Sequence, residues 1–314
     1  MPSGRANSDA ELCRGANSGA EACRRVRPHY QANFKHKVNM KRIFLLLAAC
    51  GLLAFAMPRT ARAQCSSPNT AFKSGETLIY DLYFNWQFVW IKVGSASMNT
   101  TMTTYQGHPA YRSYLITRGS KKADRFFVMR DTLLAYCHTN LSPLYYRKGA
   151  LEGKTYRRNE VWYSYPNGKS QVKMRYQKND EEPQYSTHTS AYCAYDMISM
   201  LLRARSFDPK DYKVGHRIAF LMADGHNYEW QSIIYRGKEK FKMEDSGTEY
   251  RCLVFSYVEK NKKSGKEEEV VTFYVTDDAN HLPVRLDMYL NFGSAKAFLK
   301  GATGLRNPQT AKLK

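Results

Sequence analysis

From Glu76 onward, apolar residues recur at every second position in short runs separated by turn formers. Leu78, Tyr80, Leu82 and Phe84 alternate with Thr77, Ile79, Asp81 and Tyr83. Tyr111, Ser113, Leu115 and Thr117 take one side of the next run, with Arg112, Tyr114 and Ile116 on the other. Period two is the repeat of a strand with one face on a core, and the abundance of Tyr, Val, Phe, Thr and Trp suits a pleated surface. The runs are joined by hairpin chemistry. Pro166-Asn167-Gly168 separates Glu160–Tyr165 from Gln171–Gln177, and Asn-Gly tolerates the positive φ that tight turns need. Ala223-Asp224-Gly225 divides Arg217–Met222 from Tyr228–Tyr235. Arg236-Gly237-Lys238 and Ser246-Gly247 read as further turns of the meander, and Lys262–Lys266 as a polar loop before Glu269–Thr276. About a dozen strands follow from this count, and an open sheet of that size curls or splits. The expected fold is all-β, a single curled antiparallel meander closing as a barrel, half-barrel or sandwich.

One segment changes period. Met197, Met200 and Leu201 recur at helical spacing between Asp196, a capping residue, and Asp208-Pro209, a stop, with Arg203 and Arg205 in the last turn. This predicts a short helix over residues 196–205 that plugs or covers one end of the sheet.

The chain also carries an address. Lys41 and Arg42 precede an apolar run from Ile43 to Met57, and Ala61-Arg62-Ala63 closes it with an A-x-A pattern. This is the layout of a secretory signal peptide over residues 40–63, cleaved between Ala63 and Gln64. The run is shorter than the ~20 residues of a membrane-spanning helix, and no transmembrane segment is expected in the mature chain. Leu47-Ala48-Ala49-Cys50 spells a lipobox, but Leu52, Leu53 and Phe55 prolong the apolar run past Cys50, which argues against a lipid anchor there. The simplest reading starts translation at Met40 and leaves residues 1–39 as a non-native or disordered extension. Residues 64–300 are expected as one β-rich extracytoplasmic domain, and the polar stretch 301–314 as a disordered tail.

Residues 64–314 hold 37 Lys and Arg against 25 Asp and Glu. The positive residues are interleaved with aromatics along strands rather than clustered, so nucleic acid is not expected as a partner. Anionic head groups, acidic glycans or solubility account better for the charge in an exported protein. Four cysteines follow the cleavage site, Cys65, Cys137, Cys193 and Cys252. An oxidising compartment permits two disulfides among them in three pairings, and buried thiols are the alternative.

Three stretches resemble a family of exported bacterial proteins catalogued as domain of unknown function 3108. They are Phe72–Tyr80 with Val93-Gly94-Ser95-Ala96, the helix Asp196–Arg203, and Thr276–Arg285 with Phe292-Gly293-Ser294. The resemblance spans about residues 70–300 and implies a single β-rich extracytoplasmic domain with a curved sheet, and no assigned activity.

Few residue groupings point to chemistry. Asp277, Asp278 and His281 lie close enough in sequence to ligate a metal, yet Asp-Asp-Ala-Asn between two apolar runs is turn chemistry first. No nucleophile elbow, phosphate loop or zinc motif occurs, no cofactor is called for, and no catalytic residue stands out. His216 and His226 flank one hairpin, and Glu267-Glu268-Glu269 reads as a solvated loop run. Trp86, Phe88 and Trp90 fall at alternate positions around a turn, where they line a core face or a pocket for an acyl chain or sugar. The function expected is therefore non-catalytic binding or carriage of a lipid or other amphipathic ligand at the cell envelope. The alternatives are an enzyme acting on envelope glycans or lipids and a structural subunit of an envelope assembly.

Overall fold

The computed structural model describes residues 65–86, 89–244, 246–261, 264–290 and 293–313. The expected signal peptide with its expected cleavage site at Ala61, Ala63 and Gln64, Cys50, and the stretch before Met40 lie outside the described residues. Among the described residues, strands β1 (Glu76–Trp86), β2 (Val89–Tyr105), β3 (His108–Gly119), β4 (Met129–His138) and β5 (Pro143–Glu152) open the fold. Next come β6 (Thr155–Ser164), β7 (Ser170–Lys178), β8 (Gln184–Ser190) and the two-residue β9 (Ala194–Tyr195). The helix α1 (Met197–Ala204) leads to β10 (Arg217–Ala223), β11 (Tyr228–Lys242) and β12 (Glu249–Lys260). Then β13 (Glu267–Thr276), β14 (Pro283–Leu290) and β15 (Gly293–Thr303) complete it.

All fifteen strands join one sheet in which two meanders, β1 to β8 and β15 back to β9, meet where β1 pairs with β15. Every pairing is antiparallel except the short one between β9 and β10. The alternation read from the sequence is the alternation observed. Leu78, Tyr80 and Leu82 are buried, while Ile79 on the opposite face is exposed. One contiguous core runs from these residues through Met98, Leu133, Ala135, Tyr146, Val161, Val172 and Met174 to Ile198 and Leu202 of α1. A polar cross-strand pair, Thr100 and Ser113, is buried at 2.8 Å between hydroxyls.

The sheet curls until its ends meet by side chains rather than by a ladder. Asn159 of β6 donates to the Asp224 carbonyl in the β10–β11 turn at 2.9 Å. The rings of His188 and Tyr228 stack at 4.3 Å across the same seam. Gly225 makes the approach possible, since a Cβ there would sit 2.7 Å from the Asn159 Cβ. The result is a nearly closed, barrel-like sheet.

Helix α1 begins where the sequence predicts. Asp196 accepts from the Ser199 amide at 2.8 Å, and the Ser199 hydroxyl accepts in return from the Asp196 amide at 3.0 Å, a reciprocal cap. Its buried residues Ile198, Ser199, Met200 and Leu202 face the sheet. The helix crosses the end of the barrel at which β1 begins. Its capping residue lies by Tyr163 near the end of β6, and Arg205 after its last turn reaches Glu76 at the start of β1.

The structure departs from expectation at two places. Arg236-Gly237-Lys238 is not a turn: β11 runs through it, with a shift of register between Tyr235 and Gly237. A β-bulge places the positive φ of Gly237 inside a strand, so the local signal is the same as that of a turn. The stretch after Gly301 is not a frayed tail. Residues 301–303 belong to β15, and beyond them the chain docks along β12, with Arg251 N–H on the Ala311 carbonyl (2.9 Å) and Leu313 N–H on the Glu249 carbonyl (2.8 Å). Ala311 is fully buried there. The four cysteines divide between the two readings left open by the sequence: Cys65 joins Cys193 in a disulfide, and Cys137 and Cys252 are buried thiols.

Candidate functional site

The plugged end is built by the three stretches that carry the family resemblance. Glu76 opens β1, Arg205 follows α1, and Asn280 and His281 sit in the β13–β14 turn. The Arg205 guanidinium forks onto the Glu76 carboxylate at 2.5 and 2.9 Å, and its Nε donates to the Asn280 carbonyl at 3.1 Å. Both side chains are only 2% exposed. The Phe72 ring centre lies 5.6 Å from the guanidinium carbon. His281 Nδ1 donates to the Arg205 carbonyl at 2.6 Å. Asn280, fully buried, donates to the carbonyls of Asn307 and Pro308 and so ties in the C-terminal stretch.

In this setting Asp277, Asp278 and His281 act as turn residues and not as a ligand set. Asp278 accepts from the Thr276 hydroxyl, the Asn280 amide and the Ala311 amide at 2.9–3.1 Å. Asp277 pairs with Lys238 at 3.0 Å, and His281 is held by Arg205. The three side chains are thus committed to different partners, and among the described residues no group of three or more His, Cys, Asp or Glu side chains is placed to hold a metal. The other sequence candidates also separate. His216 stacks on Tyr212, and His226 packs on Tyr176. Glu267 pairs with Arg217 and Glu269 with Arg236.

At the opposite end, which α1 leaves open, two adjoining hairpin tips, β1–β2 and β14–β15, carry exposed apolar side chains. Phe88 and the side chain of Trp86 lie outside what the structure describes. Of the aromatic candidates, Trp90 is described: it is 37% exposed, with the Lys296 ammonium 4.3 Å from its ring centre. Trp90 does not line a core face. The reason is that the β1–β2 hairpin outruns β3, whose last paired residue, Gly119, meets Gly94. Val89 and Ile91, its neighbours, are also exposed. The adjoining β14–β15 tip adds exposed Tyr289 and Leu290. The two tips are neighbours, because Phe84 pairs with Ala295 and a Cβ on Gly293 would meet the Phe84 ring at 2.9 Å.

Sequence reasoning missed one polar position. Asp131 lies on the same face of β4 as the buried Leu133, Ala135 and Cys137. Burial pushes its carboxyl up to about 6, with Lys148 opposing and Glu152 reinforcing the shift. A depression of about 430 Å³ beside it is lined by Arg118, Gly119, Arg130 and Thr132. The signal is present in the sequence as a charge on the apolar side of an alternating strand.

The family's sequence model, described as a protein of unknown function (DUF3108), matches residues 79–300. The chain belongs to this family. No curated protein matches it. Among solved structures this DUF3108 protein is similar to a β-barrel-like protein of domain of unknown function DUF1849 from Brucella abortus. That likeness has 10% identity and a TM-score of 0.47, covering 74% of this chain and 98% of the other. It is also similar to a Parabacteroides distasonis protein described as a "putative lipoprotein", at 12% identity and a TM-score of 0.30, covering 76% and 99%. Neither likeness says anything of this chain's chemistry. Among the described residues no helix is long and apolar enough to cross a membrane, which says nothing of strands.

Proposed function

We propose that this DUF3108 protein is exported and works without catalysis at the cell envelope, holding a lipid or another amphipathic ligand against the open end of its sheet. The observation that carries the reading is the run of exposed apolar side chains on two adjoining tips, Val89, Trp90 and Ile91 beside Tyr289 and Leu290. Apolar groups gathered in this way gain by covering one another or a ligand. The interior beneath is filled by Leu82, Ala297 and Leu286, so an acyl chain would lie at the mouth rather than run through the barrel. The Cys65–Cys193 disulfide supports an oxidising compartment.

The test is a titration with a fluorescent fatty acid. Replacing Trp90 by Ala and Leu290 by Ser together is expected to weaken binding roughly tenfold, the equivalent of about 1.4 kcal/mol of lost apolar contact. Unchanged affinity in that variant places the ligand elsewhere.

Asp131 favours a second reading, an enzyme acting on envelope glycans or lipids, because a raised carboxyl beside a depression is a candidate general acid. A hydrolytic activity abolished in Asp131→Asn with the fold intact is then expected. An equal activity in the variant removes this reading.

A further inference from the structure

The loop between β3 and β4 presents cationic and aromatic side chains together. Ser120 to Val128 contains a single tight turn over Ala123–Arg125. Within it Lys121, Lys122, Arg125, Phe126 and Phe127 are all on the surface, Phe126 exposed to 89% and Phe127 to 51%. The loop is held in this shape from both sides. The Ser120 hydroxyl accepts from the Ala123 amide at 3.2 Å, and the Gly153 amide donates to the Val128 carbonyl at 2.8 Å, bracing the loop on the β5–β6 turn. The acidic residue of the loop, Asp124, is turned to Arg130, which donates to it at 2.9 Å and holds its carboxyl below the usual range. Its charge is thus neutralised beside the loop. Lys154 adds a further exposed cation on the neighbouring turn. None of Lys121, Lys122, Arg125 and Lys154 has an ion-pair partner among the described residues.

Unpaired cations around projecting Phe side chains complement a surface that is anionic outside and apolar just beneath. A bilayer with anionic head groups has that layering, and amphipathic surfaces of this kind lie in its interface. We infer that the Lys121–Phe127 loop docks the protein on an anionic lipid bilayer, with Phe126 and Phe127 entering the interface and Lys121, Lys122 and Arg125 among the head groups. The inference does not depend on whether the hairpin tips hold a lipid.

The test is sedimentation of the full exported protein with vesicles of phosphatidylcholine, with and without phosphatidylglycerol. Binding is expected to require phosphatidylglycerol and to fall with added salt. Each cation near such a surface contributes roughly fivefold in affinity. Lys121→Gln/Lys122→Gln/Arg125→Gln should therefore bind at least about tenfold more weakly. Phe126→Ser/Phe127→Ser should lose the part of binding that survives salt. Because these side chains are exposed, both variants should melt with the parent, and melting is measured alongside. Equal binding to both vesicle types, no binding, or binding unaltered in either variant would overturn the inference. So would capture by soluble polyglutamate at the affinity seen for vesicles. A failure of fatty-acid binding with vesicle docking intact would sink the proposed function and leave this inference standing.

Discussion

Removing Arg205 should cost more stability than any exposed substitution, and the size follows from its surroundings. The Glu76–Arg205 pair is almost wholly buried, with the carboxylate and the Asn280 carbonyl both served by one guanidinium. Arg205→Met leaves a carboxylate with no cation in a site that excludes water. Breaking one side of such a pair costs about 3–5 kcal/mol, against a total stability of about 5–15 kcal/mol for a domain. The double variant Glu76→Met/Arg205→Met leaves neither charge and should lose clearly less than the two single losses added together. Urea unfolding of the disulfide-intact protein gives the three values. A single variant that loses less than about 1 kcal/mol, or a double that loses the full sum, refutes the account of this end as locked by a buried charge pair.

Other consequences are as direct. Burial raises the Asp196 carboxyl to about 6, above its unfolded value, so the folded state holds that proton more tightly. Stability should then fall by an order of about 3 kcal/mol as pH rises from about 4 to 6, and Asp196→Asn, which still caps α1, should flatten that slope in pH-dependent melting. The Cys65–Cys193 bridge joins residues 128 positions apart. Its removal by Cys65→Ser/Cys193→Ser should lower stability by about 2–4 kcal/mol in denaturant titration, and no change would show that the bridge does not constrain the unfolded chain. Gly225→Ala should open the seam, because its Cβ would press on Asn159, and faster hydrogen exchange in β10 and β11 would report it.

Much of the fold is legible in the sequence because its signals are local. The alternation of β1, the Asn167-Gly168 turn and the Asp196 cap each depend on a few neighbouring residues. What is not legible is what joins distant ones. Glu76 reads as an ordinary polar residue until Arg205 arrives beside it. The pairing of Cys65 with Cys193 depends on where α1 crosses the barrel. The C-terminal stretch looks featureless because its anchors, Ala311 and the backbone around it, are small or carry no side-chain pattern. Gly237 misleads because a bulge and a turn use the same residue. At the candidate site the sequence points to Trp90 but assigns it to a pocket or core, since nothing local shows that β2 outruns β3. Asp131 escapes notice although its position breaks the alternation of β4.

The central claim, that an amphipathic ligand is held at the open end, is tested most directly by native mass spectrometry of the protein beside the same sample denatured. Extra mass that leaves on denaturation is expected, identified as lipid and reduced in the Trp90→Ala/Leu290→Ser variant. A clean mass for the protein alone, both from gentle extraction and after incubation with envelope lipid, would contradict it.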